Sequence, residues 1–224
     1  MHIDLQHSHD WDVSTDKAKR IQRRLVSEVR ASPLPDTVET VAGVDVSVRD
    51  DTAQAAVAVL RLPGLAVIGE AVHRCEAPFP YVPGLLSFRE LPAVLPALDQ
   101  LGPTPDVFVT DSHGRAHPRR FGLACHLGVL LDVPAIGVAK SILVGAPQGE
   151  LGPEKGSRVP LVDDGDTVGT VLRTRTDVNP VYVSVGHRCT LEDAADLMLD
   201  CSPTYKIPEP TRQAHKLSRK TVEG

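Results

Sequence analysis

Thr40-Val-Ala-Gly-Val-Asp-Val-Ser-Val48 alternates Val44, Val46 and Val48 against Gly43, Asp45 and Ser47. A period of two marks a half-buried strand. An aspartate at its centre is costly inside a protein unless a partner or a cation meets it. Working outward, residues 54–62 form a nearly continuous apolar run, as in a strand covered on both faces, and 65–72 form another after a turn at Pro63-Gly64. The links are short, so the three strands make an antiparallel meander. On the other side, Ala18, Ile21, Leu25 and Val29 recur at helical spacing and predict a helix over 16–30, with Ser14, Thr15 and Asp16 as N-cap candidates. Lys17, Arg20, Arg23 and Arg24 lie mostly off that apolar stripe and read as a solvated face.

After the meander the period lengthens. A helical region spans 85–100, interrupted by Pro92 and Pro96, and is followed by a strand at 106–110, a helix near 119–131 and a strand at 134–139. This β-α-β spacing implies parallel pairing for the later strands. Asp164-Gly165 between two apolar runs marks a hairpin. A strand at 181–185, a helix at 190–200 and a basic helix from about 210 follow, while the Gly- and Pro-rich 145–158 reads as a loop. Three antiparallel strands followed by parallel strands, flanked by helices, is the order of a ribonuclease H-like mixed α/β sheet.

The 224 residues are 42% hydrophobic and 4% aromatic, which predicts one domain with a core of Val, Leu, Ile and Ala. Apolar runs of membrane-spanning length and a secretory leader are not seen, so no membrane partner is expected. The cysteines Cys75, Cys125, Cys189 and Cys201 are far apart, which argues against a zinc cluster or a disulfide framework and fits a reducing cytoplasm. Monomer is the default. A net charge of −5 argues mildly against nucleic-acid binding. Local clusters qualify that sum: Arg115, Arg119 and Arg120 with His113 and His117, and Arg212, Lys216, Arg219 and Lys220 near the C-terminus.

Three carboxylates stand where chemistry is usually placed. Asp45 is mid-strand. Asp111 ends the strand Val107-Phe108-Val109-Thr110, and ligands of open α/β sheets gather at such strand ends. Glu90 closes Ser87-Phe88-Arg89-Glu90 on the intervening helical segment. Each alone has an ordinary explanation: a satisfied core aspartate, a turn aspartate before Ser112-His113-Gly114, a surface glutamate. Converging at one rim, they would repel one another unless divalent cations lay between them. Hard oxygen donors select Mg²⁺ or Mn²⁺ over zinc, and the matching chemistry is phosphodiester hydrolysis with a metal-activated water. Asp163, Asp164 and Asp166 fall in the hairpin turn and read as solvated. His126 and His187 read as structural.

Five segments carry a resemblance: Val41-Ala-Gly-Val-Asp-Val-Ser47, Pro80-Tyr-Val-Pro-Gly-Leu-Leu-Ser-Phe-Arg-Glu90, Ala116-His-Pro-Arg-Arg120, Pro134-Ala-Ile-Gly-Val-Ala-Lys-Ser141 and Ile207-Pro-Glu-Pro-Thr-Arg-Gln-Ala-His215. In this order they resemble endonuclease V, and the likeness covers about residues 10 to 217. The resemblance implies a ribonuclease H-like fold. It implies a Mg²⁺-dependent cut, with Mn²⁺ able to substitute, at the second phosphodiester bond 3′ to deoxyinosine in DNA, leaving 3′-hydroxyl and 5′-phosphate ends and the base in place. By position, Asp45, Glu90 and Asp111 resemble the metal-binding carboxylates, and Lys140 and His215 the active-site lysine and histidine. Tyr81 resembles the tyrosine of a strand-separating wedge. Pro83, Gly84, Leu86, Ser112, Gly114, His117, Arg119 and Leu143 match the surroundings of the substrate. A rigid aromatic between Pro80 and Pro83 suits filling the gap left by a displaced base. Lys140 after an apolar strand can meet a phosphate, as can His117, Arg119 and Arg120 at the start of the helix predicted there.

The chain departs from the family pattern at Val82 in the wedge, at Asp111-Ser-His-Gly114 where Asp-Gly-x-Gly is usual, and at Val185-Gly-His187 where Pro-Gly-His is usual. Ser112 falls beside the implied base pocket and would narrow it or adjust its selectivity. The alternatives are an endoribonuclease acting on inosine in single-stranded RNA, a non-catalytic nucleic-acid-binding module, and another ribonuclease H-like nuclease such as a junction resolvase.

Overall fold

A computed structural model describes residues 4–102 and 104–220. The meander forms as the alternation dictates: β1 (Thr40–Arg49), β2 (Thr52–Arg61) and β3 (Ala66–Glu76) pair antiparallel in sequence order. The chain then crosses through α2 (Leu86–Asp99) to β4 (Val107–Thr110), and through α3 (Leu123–Leu131) to β5 (Ala135–Ala139); the helix before the meander, α1, spans Thr15–Leu25. β4 pairs parallel with β1, and β5 parallel with β4. The expected parallel pairing ends there. Short β6 (Ala146–Pro147), β7 (Arg158–Asp163), β8 (Asp166–Leu172) and β9 (Val181–His187) extend the same sheet antiparallel, with β9 against β5. The connection from β8 to β9 is too short for a crossover, and a short connection reverses direction. The nine strands run in the order β3-β2-β1-β4-β5-β9-β8-β7-β6. Asp164 and Gly165 both take positive φ in the β7–β8 turn, the geometry of a type I′ hairpin.

The helices cover both faces. α2 and α3 bury Leu91, Val94, Leu98, Leu127 and Leu130 against Ala42, Val44, Ala55 and Val57. On the opposite face α4 (Leu191–Asp200) packs Met198 and Leu197 on Val183, Ile136 and Val109. α5 (Glu209–Ser218) lies on β1 and β2 through Ala214, Ala58 and Leu60. Gly43 decides how closely α5 approaches: a Cβ there would stand 1.9 Å from the carbonyl oxygen of Pro210.

Three local expectations change. α2 runs unbroken through Pro92 and Pro96. The two are four residues apart on the less buried side of the helix, Pro92 half-buried and Pro96 exposed. α1 stops at Leu25 and tightens into a 3-10 turn over Val26–Glu28; its N-cap is Ser14, whose Oγ accepts from the Lys17 N–H. α3 begins at Leu123, so His117, Arg119 and Arg120 lie in a run of turns before the helix and not on its first N–H groups. The thiols of all four cysteines are free, and burial pushes those of Cys125, Cys189 and Cys201 up to about 12. Among the described residues no helix is long and apolar enough to cross a membrane.

Candidate active site

Strand register builds the centre of the site. β1 and β4 are parallel with Val44 opposite Thr110, so Asp45, midway along β1, and Asp111, just past the end of β4, follow side by side, and the Asp111 N–H reaches the Val44 carbonyl at 3.3 Å. α5 completes it from above. Thr211, Ala214, His215 and Ser218 recur at three- and four-residue spacing and share a helix face. His215 Nδ1 stands 3.3 Å from Asp45 Oδ2, and Ser218 Oγ donates to the same oxygen at 2.5 Å. One ligand atom each from Asp45, Asp111 and His215 lies within 4.8 Å of the others. Lys140, one residue past β5, donates from Nζ to Asp111 Oδ2.

The expected trio was Asp45, Glu90 and Asp111; the geometry gathers Asp45, Asp111 and His215, with Glu90 alongside. Glu90 is close enough to sense both aspartates. Burial, reinforced by the charges of Asp45 and Asp111, pushes its carboxyl up to about 8, against the opposing pull of Arg89. Crowded carboxylates of this kind are what a divalent cation relieves. Two hard carboxylate donors with one imidazole, and a third carboxylate adjacent, fit a Mg²⁺- or Mn²⁺-type ion. Ser218 was not anticipated; the available signal was its place one helical turn after His215.

Asp111 also edges a cavity of about 320 Å³. Tyr81, Pro83, Gly84, Leu86, Ser112, His117 and Leu143 line it, together with Ser87 and His113. Tyr81 stands at the rim with 71% of its surface exposed, between two prolines. Ser112 is buried, and its hydroxyl is bonded to Thr110 Oγ1 at 2.6 Å. Gly114 and Arg119 do not line the cavity. Gly114 packs on the Val185 carbonyl, and its N–H donates to Ser184 Oγ. Arg119 works one layer back, on the carbonyl of Gly84. That oxygen accepts from Arg119 Nη2 at 2.6 Å, His117 Nε2 at 3.0 Å and Gln22 Nε2 at 3.0 Å. A carbonyl can only accept, so His117 carries its proton on Nε2, and its Nδ1 accepts the Arg119 N–H at 3.1 Å. Burial lowers the His117 pKa to about 4, which keeps the ring neutral. The clamp fixes a glycine at φ +77°, at the turn that leads into α2 and Glu90. Gln22 gave no sign of this role in the sequence beyond lying on the buried stripe of α1.

Two charge readings are corrected. Arg120 pairs with Asp163 at 2.6 Å, so the first is not free for phosphate and the second is not a solvated turn residue. Arg212 pairs with Glu209 at 2.9 Å and stacks on Tyr205. His126 and His187 are structural as expected: His126 bonds Ser87 and His9 inside the core, and His187 joins Arg30 to Asp132.

The Endonuclease V family model matches residues 22–216. An endonuclease V of Roseiflexus castenholzii is 50% identical over 210 residues, covering 94% of each chain. The crystal structure of endonuclease V from Streptomyces avermitilis superposes with a TM-score of 0.89 at 46% identity, covering 93% of each chain. The Ciona intestinalis endonuclease V, solved with a 24mer DNA containing an inosine followed by a ribo-adenosine, gives 0.81 at 28% identity, covering 91% of this chain and 95% of its own. The paired carboxylates of β1 and β4, the adjoining cavity and these likenesses agree: the chain belongs to the endonuclease V family of phosphodiester-hydrolysing nucleases.

Proposed function

We propose that this protein cuts DNA at the second phosphodiester bond 3′ to deoxyinosine, with Mg²⁺ or Mn²⁺, leaving 3′-hydroxyl and 5′-phosphate ends. The observation that supports it most is that Asp111 belongs both to the Asp45–Asp111–His215 group and to the wall of the adjoining cavity. A displaced base and a nearby phosphate thus have places on either side of one residue. The inosine-bearing DNA held by the Ciona relative supports the choice of base.

In this reading Asp45, Asp111, Glu90 and His215 hold the ion, which when bound polarises the phosphate and activates water. Lys140, beside Asp111, presents its ammonium toward the phosphate. Ser218 and the α5 contact keep His215 turned to Asp45. Tyr81 fills the space left in the stack when the modified base swings into the cavity. The Gly84 clamp keeps the cavity wall and the start of α2 in fixed relation.

The test is a single-stranded and a duplex oligonucleotide, each with one deoxyinosine, beside adenine controls, in Mg²⁺. Nicking of the deoxyinosine strands alone, two bonds away on the 3′ side, is expected; equal cutting of adenine controls would refute the reading. The ribo-adenosine next to inosine in the Ciona complex makes an inosine-containing RNA strand the second substrate to compare.

A further inference from the structure

The hollow that holds Asp45 continues away from the base-sized cavity. It passes Ser47 and Arg49 of β1 and Arg219 beyond α5, then opens into a second hollow bounded by Arg74 of β3 and Lys220. The first cavity shares Asp111 with the middle hollow, the last shares Ser47, Arg49 and Arg219 with it, and the two ends share no residue. The three therefore lie in series, with the carboxylates in the middle.

The far end is cationic and unpaired. Arg49, Arg74, Arg219 and Lys220 are exposed, and among the described residues none forms an ion pair with a carboxylate. Cations near a helix C-terminus have an ordinary use, since they meet its free carbonyls. Here that work is done by an amide. Buried Gln54 sends Nε2 to the carbonyls of Ser218 at 2.8 Å and Lys220 at 3.0 Å. This turns Oε1 outward, where it accepts from Arg74 Nε. Arg74 is thus held by Nε, and its terminal nitrogens bond none of the described residues. Arg49 belongs to a strand end and owes nothing to the helix. Four like charges gathered in one cleft of a chain with net charge −5 repel one another unless an anion joins them. A groove that continues past a phosphodiester-cutting centre calls for a run of phosphates.

We infer that the Arg49–Arg74–Arg219–Lys220 cleft binds the backbone of the substrate DNA strand on the 3′ side of the cut. The strand enters at the base cavity, crosses Asp45 and Asp111 and leaves through the cleft. Its direction rests on the deoxyinosine reading above; its chemistry, a phosphate track, does not.

The experiment uses single-stranded DNA with one deoxyinosine, a fixed 5′ arm and a 3′ arm shortened one nucleotide at a time. KM is measured in Mg²⁺ at several salt concentrations, and binding of an unmodified strand by fluorescence anisotropy. Wild type should lose affinity as the 3′ arm shortens. The double variant Arg49→Gln/Arg74→Gln should show a raised KM that responds less to that shortening, since Arg219 and Lys220 remain. Its log–log salt slope should fall by about 1.4, at roughly 0.7 per lost contact on a single strand. Arg49→Lys/Arg74→Lys should keep the slope, because the charges remain. A glutamine variant with the wild-type slope and arm dependence overturns the inference, and so does an arm dependence confined to the 5′ side. If wild type does not distinguish deoxyinosine from adenine, the proposed substrate is wrong, while the anisotropy slope on unmodified DNA still decides the cleft.

Discussion

Gly43→Ala tests the link between packing and chemistry most directly. The new Cβ would lie 1.9 Å from the Pro210 oxygen, 2.1 Å from its carbon and 2.7 Å from the Thr211 nitrogen, all backbone atoms that no rotamer change can move aside. Ordinary contact begins near 3.4 Å, so the first turn of α5 must withdraw by about 1.5 Å. Overpacking of this kind costs about 1–3 kcal/mol. At roughly 2–4 °C per kcal/mol for a chain of this size, Tm should fall by about 2–12 °C. Asp45 is two residues along the same strand face, and its bonds to His215 and Ser218 span 3.3 and 2.5 Å. A shift of that size breaks at least the longer one. Misplacement by about 1 Å is enough to slow a reaction on the order of 100-fold. The assay is kcat on single-stranded deoxyinosine DNA in saturating Mg²⁺, well below Tm, beside a melting curve. Gly64→Ala, where an added Cβ meets nothing within 4 Å, is the silent control. A Gly43→Ala protein with wild-type Tm and kcat within twofold would show that α5 does not set the site.

Asp45→Ala and Asp111→Ala should each abolish cleavage while metal-free binding to deoxyinosine DNA persists; a near wild-type rate in Mg²⁺ for either removes that residue from the site. Tyr81→Ala should lower the ratio of duplex to single-strand cleavage, because unstacking costs a few kcal/mol only where there is a stack; an unchanged ratio would leave Tyr81 a brace for its loop. Acid should destabilise the fold through His117. Its folded pKa of about 4 lies below the ordinary 6.5, so the unfolded chain takes the proton first. The stabilisation is complete above pH 6.5 and is lost as pH falls toward 4, by about 3 kcal/mol at 1.36 kcal/mol per unit. His117→Gln should flatten that part of the stability–pH curve, and an unaltered slope measured by urea denaturation would exclude the assignment.

The sequence carries the parts of this fold that depend on short-range pattern. Alternation around Asp45 placed β1, Asp164-Gly165 placed a hairpin, and apolar spacing placed the helices to within a few residues. What it did not carry is what depends on the path of the chain. The direction of β9 follows from the short link after β8, and the apolar pattern of a strand is the same read either way. Pro92 and Pro96 look like breaks until their common, less buried face is known. His215 reaches Asp45 across 170 residues, and periodicity says nothing of such distances. Ser218 and Gln22 are ordinary residues made specific by what they touch. Arg120 and Asp163 looked free because neither chain position reveals the other.

The assembly of Asp45, Asp111 and His215 from β1, β4 and α5 also ties cutting to completeness of the molecule. A chain made in order forms both aspartate strands long before the helix that brings His215. Until α5 settles over Gly43, the carboxylates face each other with no imidazole, no Ser218 bond and no finished groove. α5 rests on the sheet by one face, and it carries both His215 and Ser218 to Asp45. A copy in which α5 has not docked therefore lacks the imidazole and the hydroxyl that face Asp45.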